Sequence, residues 1–170
     1  MVELHRQNLK ENTKKYYAVK KILKKKFPDN TQIDHVGSTA IPYMYGKNII
    51  DILVGVPKEN EMDKYSEIIK NLGYFPGRDA SGIYRFFASR NEETESGDIH
   101  IHLVYVNTQR YKDFLILKKY LLNNKEERRN YSNIKKKIIK DGYCIRSDYK
   151  SIKSEYVTSL LERARKSSNI

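Results

Sequence analysis

Two short stretches hold the residues able to do chemistry. In "GDIHIHLVYV", strand alternation sets Asp98, His100 and His102 on one face and Ile99, Ile101 and Leu103 on the other. In "NIIDILVGV", Asp51 stands inside a run that is otherwise β-branched and apolar. A carboxylate inside a buried strand is costly unless something pairs with it. If the two strands are neighbours, Asp51 meets His100 or His102. That gives either a mixed carboxylate and imidazole set for a divalent ion or the hydrogen-bonded wall of a cleft. A structural Asp51, held by Lys47 or a backbone N–H, is the competing reading.

Upstream, "HVGSTAIP" closes an apolar segment with Gly37 and Ser38. Glycine lets a backbone or a phosphate come close, and Ser38 offers a hydroxyl and an N–H to phosphate oxygens, with Thr39 beside it. Further along, Tyr131 and Lys135 repeat the spacing of Tyr149 and Lys153. Four residues apart on a helix, each pair shares a face. Such a pair either stacks a base and holds a phosphate, or packs the ring into a helix interface while the lysine reaches water. Arg85 in "YRFF" is either a further phosphate contact or an edge-strand charge that discourages aggregation.

The elements that must position these residues follow from periodicity. Tyr16, Val19, Ile22 and Leu23 recur at helical steps, giving an amphipathic helix over Leu9 to Phe27 that "FPDN" stops. "QIDHVGS" reads as a strand ending at Gly37, and "TAIPYMYGK" as a loop or short turn. "NIIDILVGV" has the continuous apolar pattern of a central strand covered on both faces. "ENEMDKYSEIIKNLG" is a crossover helix stopped by Gly73, "YFPGRDASGIYRFFASR" a hairpin, and "GDIHIHLVYV" another strand. Three helices are expected over Gln109 to Asn123, Glu126 to Lys140 and Ser147 to Lys166. The class is α+β, a mixed sheet with flanking helices and a helical lobe over about residues 107–166, in a single domain of residues 1–170.

Bulk composition narrows the function classes. One cysteine, Cys144, excludes a disulfide framework and a cysteine-rich zinc site. No apolar run is long enough for a membrane span or a signal peptide, so no membrane partner and a cytoplasmic location are expected. The net charge of +12 is uneven: residues 107–170 carry 17 Lys and Arg against seven Asp and Glu, a net of +10. That excess favours an anionic partner such as a nucleotide, RNA or a phosphorylated metabolite.

"IDHVGSTAIP…KNIIDILVGV" resembles the signature of the GrpB family, which is similar to the nucleotidyltransferase superfamily. "LGY" at Leu72 to Tyr74, "YRFF" at Tyr84 to Phe87 and "HIHLV" at His100 to Val104 occur in the family's order. So do "KKYLLNNKEERRNYSNIK" and "YKSIKSEYVTSLL", and the resemblance covers nearly the whole chain. It implies a nucleotidyltransferase-like fold and metal-dependent transfer of a nucleotidyl group from a nucleoside triphosphate to a small-molecule or RNA acceptor. A non-catalytic protein binding a nucleotide or phosphorylated metabolite on the same fold is the alternative. Gly37 and Ser38 match the phosphate-holding turn, and Asp51 matches the first acid of an acidic pair that binds two Mg²⁺. The second acid falls on Leu53, and the third on the strand bearing His100 and His102. Asp51, His100 and His102 are therefore the expected ligands of a divalent cation (Mg²⁺ or Mn²⁺, with Zn²⁺ suited to imidazole). Asp51 and His102 are the expected catalytic pair. Gly37, Ser38, Thr39, Lys47, Arg85, Lys135 and Lys153 are the expected phosphate contacts.

Overall fold

Among the described residues, seven strands and five α-helices form around the apolar run at residues 50–56. The computed structural model describes residues 1–89 and 97–168. The elements are β1 (His5–Arg6), α1 (Leu9–Lys24), β2 (Gln32–Val36), β3 (Tyr45–Gly46), β4 (Ile50–Val56) and α2 (Met62–Asn71). They continue with β5 (Phe75–Ser81), β6 (Tyr84–Ala88), β7 (Ile99–Tyr105), α3 (Gln109–Asn123), α4 (Lys125–Lys140) and α5 (Arg146–Ser168). The expected helices and main strands are present, with ends shifted by a few residues. The stretch read only as a turn also contains β3, which pairs with β1 in a small antiparallel ribbon.

The main sheet runs β2-β4-β7-β6-β5. Only β4 and β7 are parallel, which makes it a mixed sheet. That parallel pair needs a crossover, supplied by α2 and the β5–β6 hairpin. On one face Ile50, Ile52, Val54 and Val56 join Ile101 and Leu103 under Tyr16, Val19 and Leu23 of α1 and Met62, Tyr65 and Ile69 of α2. The other face carries Val36, Leu53, Tyr84 and Val104 under Tyr111, with Phe114 and Leu115 of α3 alongside. Burial on both faces explains why β4 reads as a nearly unbroken apolar run.

The basic C-terminal half forms α3, α4 and α5. Thr108 and Asn124 cap the first two by accepting from the backbone N–H groups of Tyr111 and Glu127. Two forked ion pairs bind α5 to its neighbours: Arg163 to Glu127 of α4 at 2.8 Å, and Arg165 to Asp113 of α3 at 2.5 Å. Apolar contacts join this lobe to the loop before β3 through Ile41, Met44, Leu121 and Leu160. Among the described residues no helix is long and apolar enough to cross a membrane.

The fold rests on the β4 face that meets α1 and α2. Replacing Ile52, which is fully buried, by alanine is expected to lower the unfolding free energy by about 2–5 kcal/mol. Ile22→Ala on the 51% exposed side of α1 is expected to change it by no more than about 0.5 kcal/mol. Urea unfolding of both variants measures the difference.

Candidate active site

Registry across the parallel pair builds the site. Asp51 lies opposite His100, and Leu53 opposite His102, so alternation turns Asp51 and both imidazoles to the same side of the sheet. Asp51 Oδ1 lies 3.1 Å from His102 Nε2 and 3.4 Å from His100 Nδ1. The three side chains are only 14–24% exposed. Burial alone would raise the Asp51 carboxyl pKa, but hydrogen bonds from His100 and His102 and their charge outweigh it and hold it far below the usual carboxylate range.

Gly37 closes the other side of the carboxylate. Its φ is +72°, and a β-carbon there would collide with Asp51 Oδ2. Glycine is thus required twice over, by its left-handed backbone and by the close approach. Ser38 turns its hydroxyl toward Gly46, where a β-carbon would collide with it. Thr39 is drawn inward: it is fully buried, and its hydroxyl lies 2.9 Å from His35 Nε2. His35 also stacks on Tyr16 of α1 with ring centroids 4.8 Å apart. This contact fixes the turn carrying Gly37 and Ser38 against the core.

A third strand completes the cluster. Tyr84 Oη lies 3.0 Å from His102 Nδ1, producing a continuous line Tyr84–His102–Asp51. With His102 Nε2 donating to the carboxylate, Nδ1 accepts from the Tyr84 hydroxyl, the tautomer that satisfies both contacts. Phe86 meets His100 edge-on at 4.8 Å, and Phe114 lies 4.8 Å from His102, so aromatic rings fix both imidazole planes.

These residues open into a cleft of about 560 Å³ lined by Lys47, Asp51, Gly77, Arg78, Tyr84, Phe86, His100, His102, Tyr149, Lys150 and Lys153. Lys47 and Lys153 reach the ring of Tyr149, with ammonium groups 5.1 and 5.9 Å from its centroid. Burial pushes Tyr149 up to about 12. Burial also lowers Lys153, where the repulsion of Lys150 adds to it and the attraction of Asp51 opposes it.

The cleft thus unites Asp51, His100, His102, Lys47 and Lys153, with Gly37 against the carboxylate from β2. Four expected phosphate contacts lie elsewhere, Ser38 with its hydroxyl against Gly46 as above. Arg85 is turned to the opposite face of the sheet, because alternation along β6 puts Tyr84 and Phe86 on the cleft side. Its guanidinium binds Asp63 at 2.6 Å and Ser66 at 2.8 Å. Thr39 is spent on His35, as above. Lys135 is 2% exposed and lies over the Tyr131 ring at 4.4 Å, behind the cleft wall rather than in it. Burial, and then the charge of Lys153, push its ammonium down to about 7. Tyr131 stacks on Tyr156, which places it in the helix interface rather than in a base-stacking position. Asp98 ends just before β7 and accepts from the Ser89 hydroxyl at 2.8 Å. Tyr84, Phe86, Arg78 and Lys150 were missed as cleft residues, whereas Tyr149 takes the cleft side of the two readings given to the Tyr149–Lys153 pair. For Tyr84 and Phe86 the alternation of "YRFF" against the His strand was the available signal.

The expected metal ligands do not fit a two-metal site. Position 53 is a fully buried leucine, so the acidic pair is absent. The one carboxylate is engaged through a single oxygen by two imidazoles, and the second nitrogen of His102 is occupied by Tyr84. Among the described residues no group of three His, Cys, Asp or Glu side chains is arranged to hold a metal ion.

Comparison with known proteins places this arrangement in context. The family model described as GrpB protein matches residues 3–163. A UPF0157 protein of Streptomyces coelicolor is 24% identical over 135 residues, 79% of this chain and 69% of its own length. The crystal structure of a conserved protein GrpB from Enterococcus faecalis superposes with a TM-score of 0.85 at 21% identity, covering 99% of this chain and 100% of that one. A mutant of the Cid1 poly(U) polymerase bound to MgATP superposes with a TM-score of 0.52 at 13% identity, covering 77% of this chain and 45% of that one. That second likeness is one of fold: the mixed sheet with its helices is nucleotidyltransferase-like.

Two consequences of the turn can be measured. Gly37→Ala is expected to displace Asp51 and to destabilise the chain by about 1–3 kcal/mol, read by denaturant unfolding. His35 supplies a pH dependence: burial, and then the charge of Lys118, lower its pKa to about 4 from an ordinary 6.5, against the attraction of Asp51. Between those values the unfolded chain binds a proton that the native chain does not. Its contribution is therefore full above pH 6.5 and is lost as the pH falls toward 4. The slope of stability against pH in that window is expected to flatten in His35→Gln.

Proposed function

The chain belongs to the GrpB family, and from that premise we propose that the cleft around Asp51 binds a nucleoside triphosphate through its phosphates. One observation carries the proposal. A partly buried cleft of nucleotide-binding size gathers Lys47, Arg78, Lys150 and Lys153 around the one carboxylate that lines it among the described residues. An anion there relieves the repulsion between buried Lys153 and Lys150. Lys47 and Lys153 hold phosphate oxygens beside Tyr149, with Gly37 closing the site behind Asp51. Phe86 and Tyr149 offer apolar surface for a base.

A second reading, nucleotidyl transfer to a hydroxyl of a small molecule or RNA, is favoured by the line Tyr84–His102–Asp51. In that reaction the acceptor oxygen bonds to the α-phosphorus and the bond from phosphorus to the pyrophosphate oxygen breaks. The hydroxyl proton passes to Tyr84 as the Tyr84 proton moves to His102 Nδ1, while Asp51 holds the resulting imidazolium. This chain supplies the base and the phosphate contacts.

Titration calorimetry with ATP, GTP, CTP and UTP tests the binding. At least one triphosphate is expected to bind, with Lys153→Met weakening it about tenfold or more. Absence of binding to all four in Mg²⁺, Mn²⁺ and chelator buffers would overturn the proposal. For transfer, release of pyrophosphate from the bound triphosphate in the presence of an RNA or polyol acceptor is the readout. Asp51→Asn should abolish it, and unchanged turnover in that variant would remove the second reading.

A further inference from the structure

We infer that the cleft takes its phosphate-bearing ligand as a metal-free anion, with lysines supplying the countercharge that a two-metal site would supply. The inference rests on the nucleotide-binding reading and adds the ionic form of the ligand. Three observations lead to it.

The first is the donor set. Mg²⁺ demands several hard oxygen ligands, and among the described residues the cleft wall offers one carboxylate, Asp51, with Leu53 where the second would stand. The second is that three of the four imidazole nitrogens are already engaged. His102 uses Nε2 on Asp51 and Nδ1 on Tyr84, and His100 directs Nδ1 toward the same carboxylate oxygen. Asp51 therefore acts as a positioning residue, fixing two imidazoles whose faces are clamped by Phe86 and Phe114.

The third is the cationic wall. Lys47 and Arg78 come from the sheet side, Lys150 and Lys153 from α5, and all four line one cleft. Lys47 and Lys153 both lie near the Tyr149 ring, 5.1 and 5.9 Å from its centroid, so two ammonium groups are available to one phosphate-bearing ligand. Among the described residues Lys153 forms no ion pair with a carboxylate within 4.0 Å; its resolved electrostatic partners are the attraction of Asp51 and the repulsion of Lys150. A magnesium-complexed triphosphate would bring added positive charge to a wall that is already cationic. The uncomplexed anion complements it.

Calorimetry of the unaltered chain with ATP and with inorganic tripolyphosphate, each in EDTA and in Mn²⁺, decides the matter. Binding in EDTA is expected to be at least as tight as in Mn²⁺, within about threefold. Lys153→Met should weaken both ligands in EDTA, whereas Asp51→Asn should tighten them by roughly fivefold, the order of one screened unit-charge repulsion. A metal-ligand role for Asp51 demands instead that Asp51→Asn lose binding in Mn²⁺. Binding that appears only with Mn²⁺ would overturn the inference while leaving the nucleotide site standing. No binding in either buffer would remove both. The EDTA comparison needs no variant, so it decides even if Asp51→Asn fails to fold.

Discussion

A carboxylate set inside a sheet is the constraint on which this molecule turns. Asp51 sits on β4, a strand whose other face is wholly given to the core under α1 and α2. Its charge must be met locally, because removing one partner of a buried ionic cluster leaves an uncompensated charge. Three different strands meet that need. Strand β7 brings His100 and His102 through parallel registry, β6 brings Tyr84 behind His102, and β2 ends in a glycine that leaves room for the second carboxylate oxygen. A one-residue slip of β7 would put Ile99 and Ile101 against Asp51 and both histidines into the core. The hydrophobic pattern that fixes the register therefore also fixes the site.

Much of this was legible from residue order. The α+β class and the main strands and helices follow from periodicity, whereas the juxtaposition of Asp51 with the His strand was conditional on two strands being neighbours, which the β4–β7 pairing supplies. The cleft membership of Lys47 and Lys153 was legible only as a list of candidate cations. Arg85 and Thr39 show what was hidden. Both belong to stretches with the right chemistry, yet alternation along β6 sends Arg85 to Asp63 and Ser66, and His35 claims the Thr39 hydroxyl. Tyr131 and Tyr149 share one local spacing but diverge, since Tyr131 stacks on Tyr156 while Tyr149 lines the cleft. Spacing specifies which residues share a helix face; only packing specifies what that face meets.

The lobe explains the uneven charge. Residues 107–170 hold +10 of the net +12, and part of that charge is neutralised where it serves structure. Arg163 and Arg165 are spent on Glu127 and Asp113, which bind α5 to α4 and α3. The cations at the other end of α5, Lys150 and Lys153, face the cleft instead. One helix thus carries an anchoring end and a cleft-facing end. Its basic composition has two separate physical uses rather than one diffuse affinity for anions.

This division also accounts for Leu53. A second carboxylate there would point into the apolar layer formed by Val36, Tyr84, Val104 and Tyr111. Among these neighbours, only the Tyr84 and Tyr111 hydroxyls could donate a hydrogen bond, and they are committed to His102 and Gln32. The energetic cost of an acid at that position would need a bound cation to offset it. With leucine, the layer packs α3 onto the sheet without any ion, and the imidazoles take over the task of holding Asp51. The cations of the cleft arrive from outside the sheet, Lys150 and Lys153 from α5 and Lys47 from the loop before β4. Absence of the acidic pair at position 53 and a cationic cleft wall fit one electrostatic balance.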